Sequence, residues 1–329
     1  MKISVIIPAY NAAAVIQKTI DSVLGQTTPP DEILVFDDGS TDDTAVILES
    51  YKPRVTVFKQ SNQGVAHARN FLCARARGDI LAFLDADDTW HPCYLAVQKK
   101  TIESHPSAVG YFMDHEDLVG YGNYEWKTRI IDFPARSELI APMEFMQRYD
   151  RIPLSFQMSG CCVPANVLAK FGREPFPVSI SGADDTYFHN MLPLFGPVVH
   201  TPVPLVAYRI TSSSISADRL KMSLSVVGAF QLLERHYKIH KSAALHKAFR
   251  SVFASRRRNC GKFLMGANRI LDARKQLLLA ACESRSPASI AKSLALYCLT
   301  QLPNSVQPQW PARQRALNDC NLKTNAEGC

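Results

Sequence analysis

The chain has 329 residues, 47% of them hydrophobic and 20% charged, with a formal net charge of +7. That balance allows a buried core and excludes bulk disorder. The nine cysteines are odd in number and scattered, with no Cys-x-x-Cys pair, which argues against a disulfide framework or zinc site and for reduced thiols in a cytoplasmic setting.

A strand-like run, Ile3 to Ile7, opens the chain with no signal-peptide apolar stretch ahead of it. Further apolar or β-branched runs lie at Glu32 to Phe36, Val55 to Phe58 and Ile80 to Leu84, each bounded by turn residues. Between them, Ala14 to Leu24, Thr41 to Tyr51 and Gly64 to Arg77 have helical spacing. Such alternation predicts an α/β fold with a mostly parallel central sheet flanked by helices. Residues 106–220 are less regular and proline-rich, and they carry the acidic group Gly182-Ala183-Asp184-Asp185. From 221 the pattern predicts helices over Met222 to Arg235, Ser242 to Ser255 and Cys260 to Ala280, and the tail after Pro303 reads as loose. The apolar stretch Ile290 to Leu302 is broken by Lys292, Ser293 and Gln301, so no membrane span is predicted.

Basic residues gather in this last third, at Arg256-Arg257-Arg258, Lys262, Arg269, Arg274 and Lys275. They read either as a solvated helical face or as a surface for peripheral contact with anionic lipid head groups. No nucleic-acid-binding module is recognisable, and nucleic acid is not expected as a partner.

In open α/β sheets ligands bind beyond the carboxyl ends of the strands. Pro8-Ala9-Tyr10-Asn11 follows the first strand, Asp37-Asp38-Gly39-Ser40-Thr41-Asp42 the second, and Asp85-Ala86-Asp87-Asp88 the fourth, so the sheet edge gathers polar groups into one site. Carboxylates crowded at the end of an apolar strand repel one another, and a hard divalent cation relieves that repulsion. The competing reading of the same four residues is a solvated acidic turn, or a helix cap ahead of Trp90-His91-Pro92. Asp184-Asp185 likewise reads as a helix cap for Thr186 to Leu192, a role compatible with chemistry at the same place.

Four segments in order, IIPAYNA, DDGSTDDT, NQGVAHARN and GDILAFLDADD, span the first 105 residues densely, and together they resemble the family 2 glycosyltransferases. The resemblance implies a GT-A-like fold with a nucleotide-sugar-binding half at 1–105, an acceptor-binding and catalytic-base half at 106–220, and a helical C-terminal extension at 221–329. On the matching positions it implies that Pro8, Ala9, Tyr10 and Asn11 border the nucleobase and that Asp38 meets the base edge, with uracil the usual base. Arg69 then lies by the diphosphate, Asp85 by the ribose side, and Asp87, with Asp85 and Asp88, at a Mn²⁺ or Mg²⁺ ion. Asp185 is implied as the base that deprotonates the acceptor hydroxyl in an inverting transfer, with Asp184 orienting beside it, and Arg209 as a phosphate clamp. Thr211 stands where relatives often carry a histidine.

The implied activity is transfer of a sugar from a nucleotide diphosphate donor, UDP by preference, to a glycan or lipid-linked acceptor in polysaccharide or glycoconjugate assembly. It would take place in the cytoplasm or at the cytoplasmic membrane face. The alternative is a catalytically silent sugar-nucleotide-binding scaffold, against which intact Asp87 and Asp185 argue. Trp90, Trp126 and Tyr124 are candidates to stack on an acceptor sugar, with core packing the alternative.

Overall fold

A computed structural model describes residues 1–121, 124, 126, 137–151, 156–210, 218–240, 242–284 and 286–301. Thr211 and the tail after Pro303 fall outside the described residues. The first half alternates as the pattern predicts: β1 (Ile3–Ala9), α1 (Ile16–Leu24), β2 (Glu32–Asp37), α2 (Thr44–Glu49), β3 (Thr56–Lys59), α3 (Val65–Cys73) and β4 (Ile80–Phe83). There follow β5 (Thr89–Trp90), α4 (Tyr94–Ser104), β6 (Gly110–Val119), β7 (Glu138–Ile140), α5 (Pro142–Arg151), β8 (Cys161–Pro164), α6 (Ala165–Leu168), α7 (Asp184–Met191) and β9 (Val198–Ile210). Four helices close the described chain: α8 (Arg219–Ile239), α9 (Ala243–Gly266), α10 (Ile270–Glu283) and α11 (Pro287–Leu299).

The strands form one sheet in the order β3-β2-β1-β4-β8-β6-β9-β5, with β7 also on β9. β1 pairs parallel with β2 and β4, and β2 with β3. Beyond β4 the sheet is mixed, since β8 runs antiparallel to both β4 and β6 while β6 and β9 run parallel. All seven residues of β1 and all four of β4 are buried. Strands covered on both faces need no polar alternation, which is why their sequences are unbroken apolar runs. Ile16, Thr19, Ile20 and Val23 form the buried stripe of α1, and Ile16, Ile20 and Val23 share a core with Val5, Ile7 and Val35. Phe36, of opposite parity on β2, meets Phe71 of α3 edge to face at 4.7 Å, so α3 covers the other side of the sheet.

β6 and β9 were not predicted. The burial of β6 changes halfway, from four buried residues to a mostly half-exposed end. β9 contains Pro202 and Pro204 at a register shift, where Asp114 pairs with Pro204 while Pro202, Val203 and Leu205 have no counterpart on β6. Proline lacks the N–H a ladder needs and is tolerated at such bulges.

The chain divides into two compact units, one of residues 1–217 with 228–248, the other of 218–227 with the described residues from 249. The division differs from a helical extension starting at 221, because part of α8 packs with the sheet unit: Tyr237 is fully buried and its hydroxyl bonds the Asn190 carbonyl. In the helical unit Gly261 lets α10 approach, since a Cβ there would lie 2.8 Å from Leu277 Cγ. Much of the basic pattern is spent inside this unit. Arg257 is buried and pairs with Glu283 at 2.8 Å, Arg269 pairs with Asp272, Arg274 bonds Thr300 and Gln301, and Arg258 bonds the Ser289 hydroxyl. These four arginines therefore do not make the free cationic face that helical spacing alone suggests. No described helix is long and apolar enough to cross a membrane.

Candidate active site

The carboxyl ends of β1 and β2 are tied together by short polar contacts. Asn11, at φ +48, accepts from Thr41 N through its side-chain oxygen, while its own N–H donates to Ser40 Oγ. Asp38 is buried, and its two carboxylate oxygens accept from Gln63 N at 2.8 Å and Gly64 N at 2.7 Å, the backbone just ahead of α3. Asp38, expected at a base edge, is thus committed to shaping the loop into α3. Gly39 makes that approach possible: its φ is +77 and a Cβ would stand 2.7 Å from Asn62 N. Pro8 and Ala9 are buried at the end of β1, whereas Tyr10, the next residue, is 50% exposed.

The acidic turn after β4 is built from three directions. Asp88 N donates to Asp85 O at 3.1 Å, closing the turn. One Asp88 oxygen accepts from Arg209 N at 2.8 Å and the other from the Ser159 hydroxyl, and the residue is 1% exposed. Asp88, expected among the metal ligands, therefore points inward as a strut, with both oxygens taken. Burial and the charges of Asp87 and Asp85 push its carboxyl well above the usual range. Arg209, expected to clamp phosphate, is buried and donates from Nε to Asp87 O and from its guanidinium to Gly120 O. It joins β9 to the acidic turn, because an arginine out of water must find acceptors for its fork of donors. Trp90 is equally interior, stacked on Tyr94 at 4.1 Å, so it packs the core rather than an acceptor. Trp126 meets His91 and Tyr124 edge-on.

Arg69 links the two acidic groups. Its guanidinium, 6% exposed, reaches Asp85 at 2.5 Å and Asp184, 115 positions along the chain from the arginine, at 2.6 Å, so the two acidic groups share one cation. Burial works against that charge, but the carboxylates of Asp85 and Asp184 outweigh it and hold the guanidinium more firmly protonated than usual. Arg69 was expected beside a diphosphate; its contacts are instead to the carboxylates that frame the site. The next residue, Asn70, bonds both backbone groups of Phe176, Nδ2 to O at 2.6 Å and N to Oδ1 at 3.0 Å, and so anchors the loop that leads to α7. Asp184 and Asp185 open α7, where exposed backbone N–H groups favour negative charge. Asp184 is buried and paired, while Asp185 is partly exposed, and burial with the Asp184 charge pushes the Asp185 carboxyl up to about 6. On the same helix His189 is buried, and burial with the Arg69 charge pushes its imidazole down to about 3, so it is a neutral core group.

Among the described residues no group of three or more His, Cys, Asp or Glu side chains is arranged to hold a metal ion by itself. Two carboxylates remain suited to the task. Asp85 keeps one oxygen outside its Arg69 pair and its side chain is 31% exposed. Asp87 is partly exposed, no described side chain pairs with it, and burial with the Asp85 charge pushes its carboxyl up to about 6. Such a donor set fits Mg²⁺ or Mn²⁺, which take one or two protein carboxylates and complete their shell with water and phosphate oxygens. Sequence reasoning missed Ser159 and Asn70, since a lone serine in an irregular stretch and an asparagine at the end of a motif announce no partner.

A family model for glycosyl transferase family 2 matches residues 4–166. The Bacillus subtilis protein TuaG, assigned as a glycosyltransferase of teichuronic acid biosynthesis, is 46% identical over 92 residues, 27% of this chain and 36% of that protein. The chain spans less than half the length of the curated relatives it matches. Among solved structures, S. aureus TarS 1-349 in complex with UDP-GlcNAc aligns with a TM-score of 0.68 at 16% identity, over 92% of this chain and 90% of that one. The mannosyltransferase PcManGT from Pyrobaculum calidifontis, in complex with GDP-Man and Mn²⁺, aligns with a TM-score of 0.56 at 20% identity, over 93% and 84%. At such identities these two speak to the fold. Residues 4–166 thus carry the glycosyl transferase family 2 pattern, on a fold of the GT-A type.

Proposed function

We propose that the chain transfers a sugar from a nucleotide diphosphate donor, UDP by preference, to a hydroxyl of a glycan or lipid-linked acceptor in polysaccharide or glycoconjugate assembly, with inversion at the anomeric carbon. The observation that carries this reading is the Arg69 bridge, which brings Asp85, on the donor side, within one guanidinium of Asp184, the neighbour of the proposed base. Residues 1–105 serve the donor, and 106–220 the acceptor and the base. The UDP-GlcNAc bound by TarS, the GDP-Man and Mn²⁺ bound by PcManGT and the assignment of TuaG support the donor class, the cation and the pathway class.

In this reading Tyr10 offers its exposed ring to the nucleobase, and Asp85 and Asp87 hold the cation. When bound, that cation neutralises charge on the departing diphosphate. Asp185 takes the proton of the acceptor hydroxyl, whose oxygen attacks the anomeric carbon as the bond to the diphosphate oxygen breaks with its electron pair. A carboxyl raised to about 6 suits that task, being ionised at neutral pH yet more basic than an ordinary aspartate.

The test is binding and hydrolysis of UDP-, GDP- and dTDP-sugars with Mn²⁺ or with EDTA. One donor is expected to bind in a metal-dependent manner, Asp87→Ala to lose that binding, and Asp185→Asn to keep binding while losing turnover. Absence of nucleotide binding with and without metal would overturn the transferase reading and the sugar-nucleotide-binding scaffold alike, whereas donor binding without turnover in the wild type would favour the scaffold.

A further inference from the structure

We propose that Ser159 is a positioning residue that sets the divalent-cation affinity of the acidic turn by fixing Asp85-Ala86-Asp87-Asp88 in its liganding shape. The inference rests on the cation role of Asp85 and Asp87 given above. Ser159 is fully buried in the Met158–Gly160 turn, which leads directly into β8. Its hydroxyl accepts from Asp85 N at 3.0 Å and donates to Asp88 Oδ2, and its carbonyl accepts from Trp90 Nε1 at 2.6 Å. One residue about seventy positions further along the chain thereby touches the first residue of the turn, the last, and the tryptophan beyond it. Asp87 lies between the two residues tied by the hydroxyl.

A hydroxyl is suited to this because the same oxygen donates and accepts, joining an N–H to a carboxylate with no rearrangement of either. The reference point is also rigid. Gly160 is pressed against β6, where a Cβ would lie 2.6 Å from Met113 O, so the serine backbone is set by the sheet and not by the turn it holds. Asp88 has its second oxygen on Arg209 N, which makes it the link between β9 and the turn. Removing the Ser159 hydroxyl leaves Asp85 N without its acceptor and one oxygen of a buried carboxylate bare. Asp88 is then held only by Arg209 N, and the turn that carries Asp87 loses its anchor to β8. Partners that hydrogen-bond and orient metal-site groups typically contribute about 10–100-fold in metal affinity.

The experiment measures Mn²⁺ binding to the full chain, alone and with UDP, from the electron paramagnetic resonance signal of the free ion. Ser159→Ala is expected to weaken Mn²⁺ by about 10–100-fold. Val55→Ala, a trimming of a buried side chain at the β3 edge of the sheet with β2 and β1 standing between it and β4, is expected to lower the melting temperature while leaving Mn²⁺ affinity within about twofold, which separates positioning from general loss of stability. Asp88→Asn, which keeps the size of the side chain but replaces one of its two acceptor oxygens with a donor and so breaks one of its two ties, supplies an independent arm if the alanine variant does not fold; it is also expected to bind Mn²⁺ about tenfold more weakly. A folded Ser159→Ala or Asp88→Asn chain binding Mn²⁺ as tightly as the wild type would overturn the role of Ser159 and leave the cation reading intact. A wild-type chain that binds no Mn²⁺ with or without UDP would overturn both.

Discussion

Asp185 stands at the second position of α7 beside Asp184, and burial together with that neighbour's charge pushes its carboxyl up to about 6. As a base it must be ionised, so kcat/KM should fall about tenfold per pH unit below about 6 and level off above it. Asp185→Asn should abolish that limb and lower turnover by at least about 100-fold, read from donor consumption at fixed nucleotide occupancy. The same shift has a stability consequence of opposite sense. A carboxyl that binds its proton more tightly folded than unfolded costs stability as pH rises from about 4 through 6. Asp185→Asn should therefore melt higher than wild type at pH 8, by about 1–2 kcal/mol after allowance for its partial exposure, with the gap closing below pH 5. Arg69 gives the contrary case: Arg69→Ala leaves Asp85 and Asp184 unpaired, and loss of one member of a buried ion cluster costs about 3–5 kcal/mol. Arg69→Lys keeps the charge but not the fork that reaches both carboxylates. Urea unfolding should rank the three chains wild type, Lys, Ala in falling stability.

At the level of elements, the packing of the loop after β2 against the loop between β3 and α3 depends on the backbone at Gly39. A Cβ there meets Asn62 N at 2.7 Å and Gln60 O at 2.9 Å, both backbone atoms that cannot rotate away, and φ is +77. Gly39→Ala should cost about 1–3 kcal/mol and, by displacing the loop that Asp38 holds against Gln63 and Gly64, weaken nucleotide binding measured calorimetrically. This loop also shows what a sequence conceals. The DDGS segment marks a strand end with a glycine turn, yet nothing in it says that Asp38 faces backbone N–H groups. Strands β1, β2 and β4 were legible because burial on both faces removes polar alternation. β6 and β9 were not, because their polar ends and the prolines of β9 break the period. Likewise, Arg69, Asp85 and Asp184 could each be named as chemical groups from their motifs, but their sharing of one guanidinium is a fact of tertiary packing that no local spacing encodes.

On the scale of the whole molecule, the boundary that composition suggests near 221 and the boundary that packing makes are different. Residues 228–248 belong to the sheet unit, where the Tyr237 hydroxyl bonds Asn190 O and His236 meets the Tyr187 hydroxyl at 3.1 Å. Asn190 and Tyr187 lie on α7, the helix that begins with Asp184 and Asp185. Phe230, Leu233 and Tyr237 are fully buried, and at about 1.5–3 kcal/mol each their burial is comparable with the 5–15 kcal/mol stability of an entire domain. A chain ending at residue 217 should therefore aggregate or melt without cooperativity. One ending at 248, which retains these contacts to α7, should give a single sharp transition by circular dichroism and keep metal-dependent nucleotide binding. Equal melting of the two truncated chains would show that 228–248 adds nothing to the sheet unit. A sharp transition for the longer chain alone would make this segment the support under α7, and would move the start of any dispensable helical extension from 221 to 249.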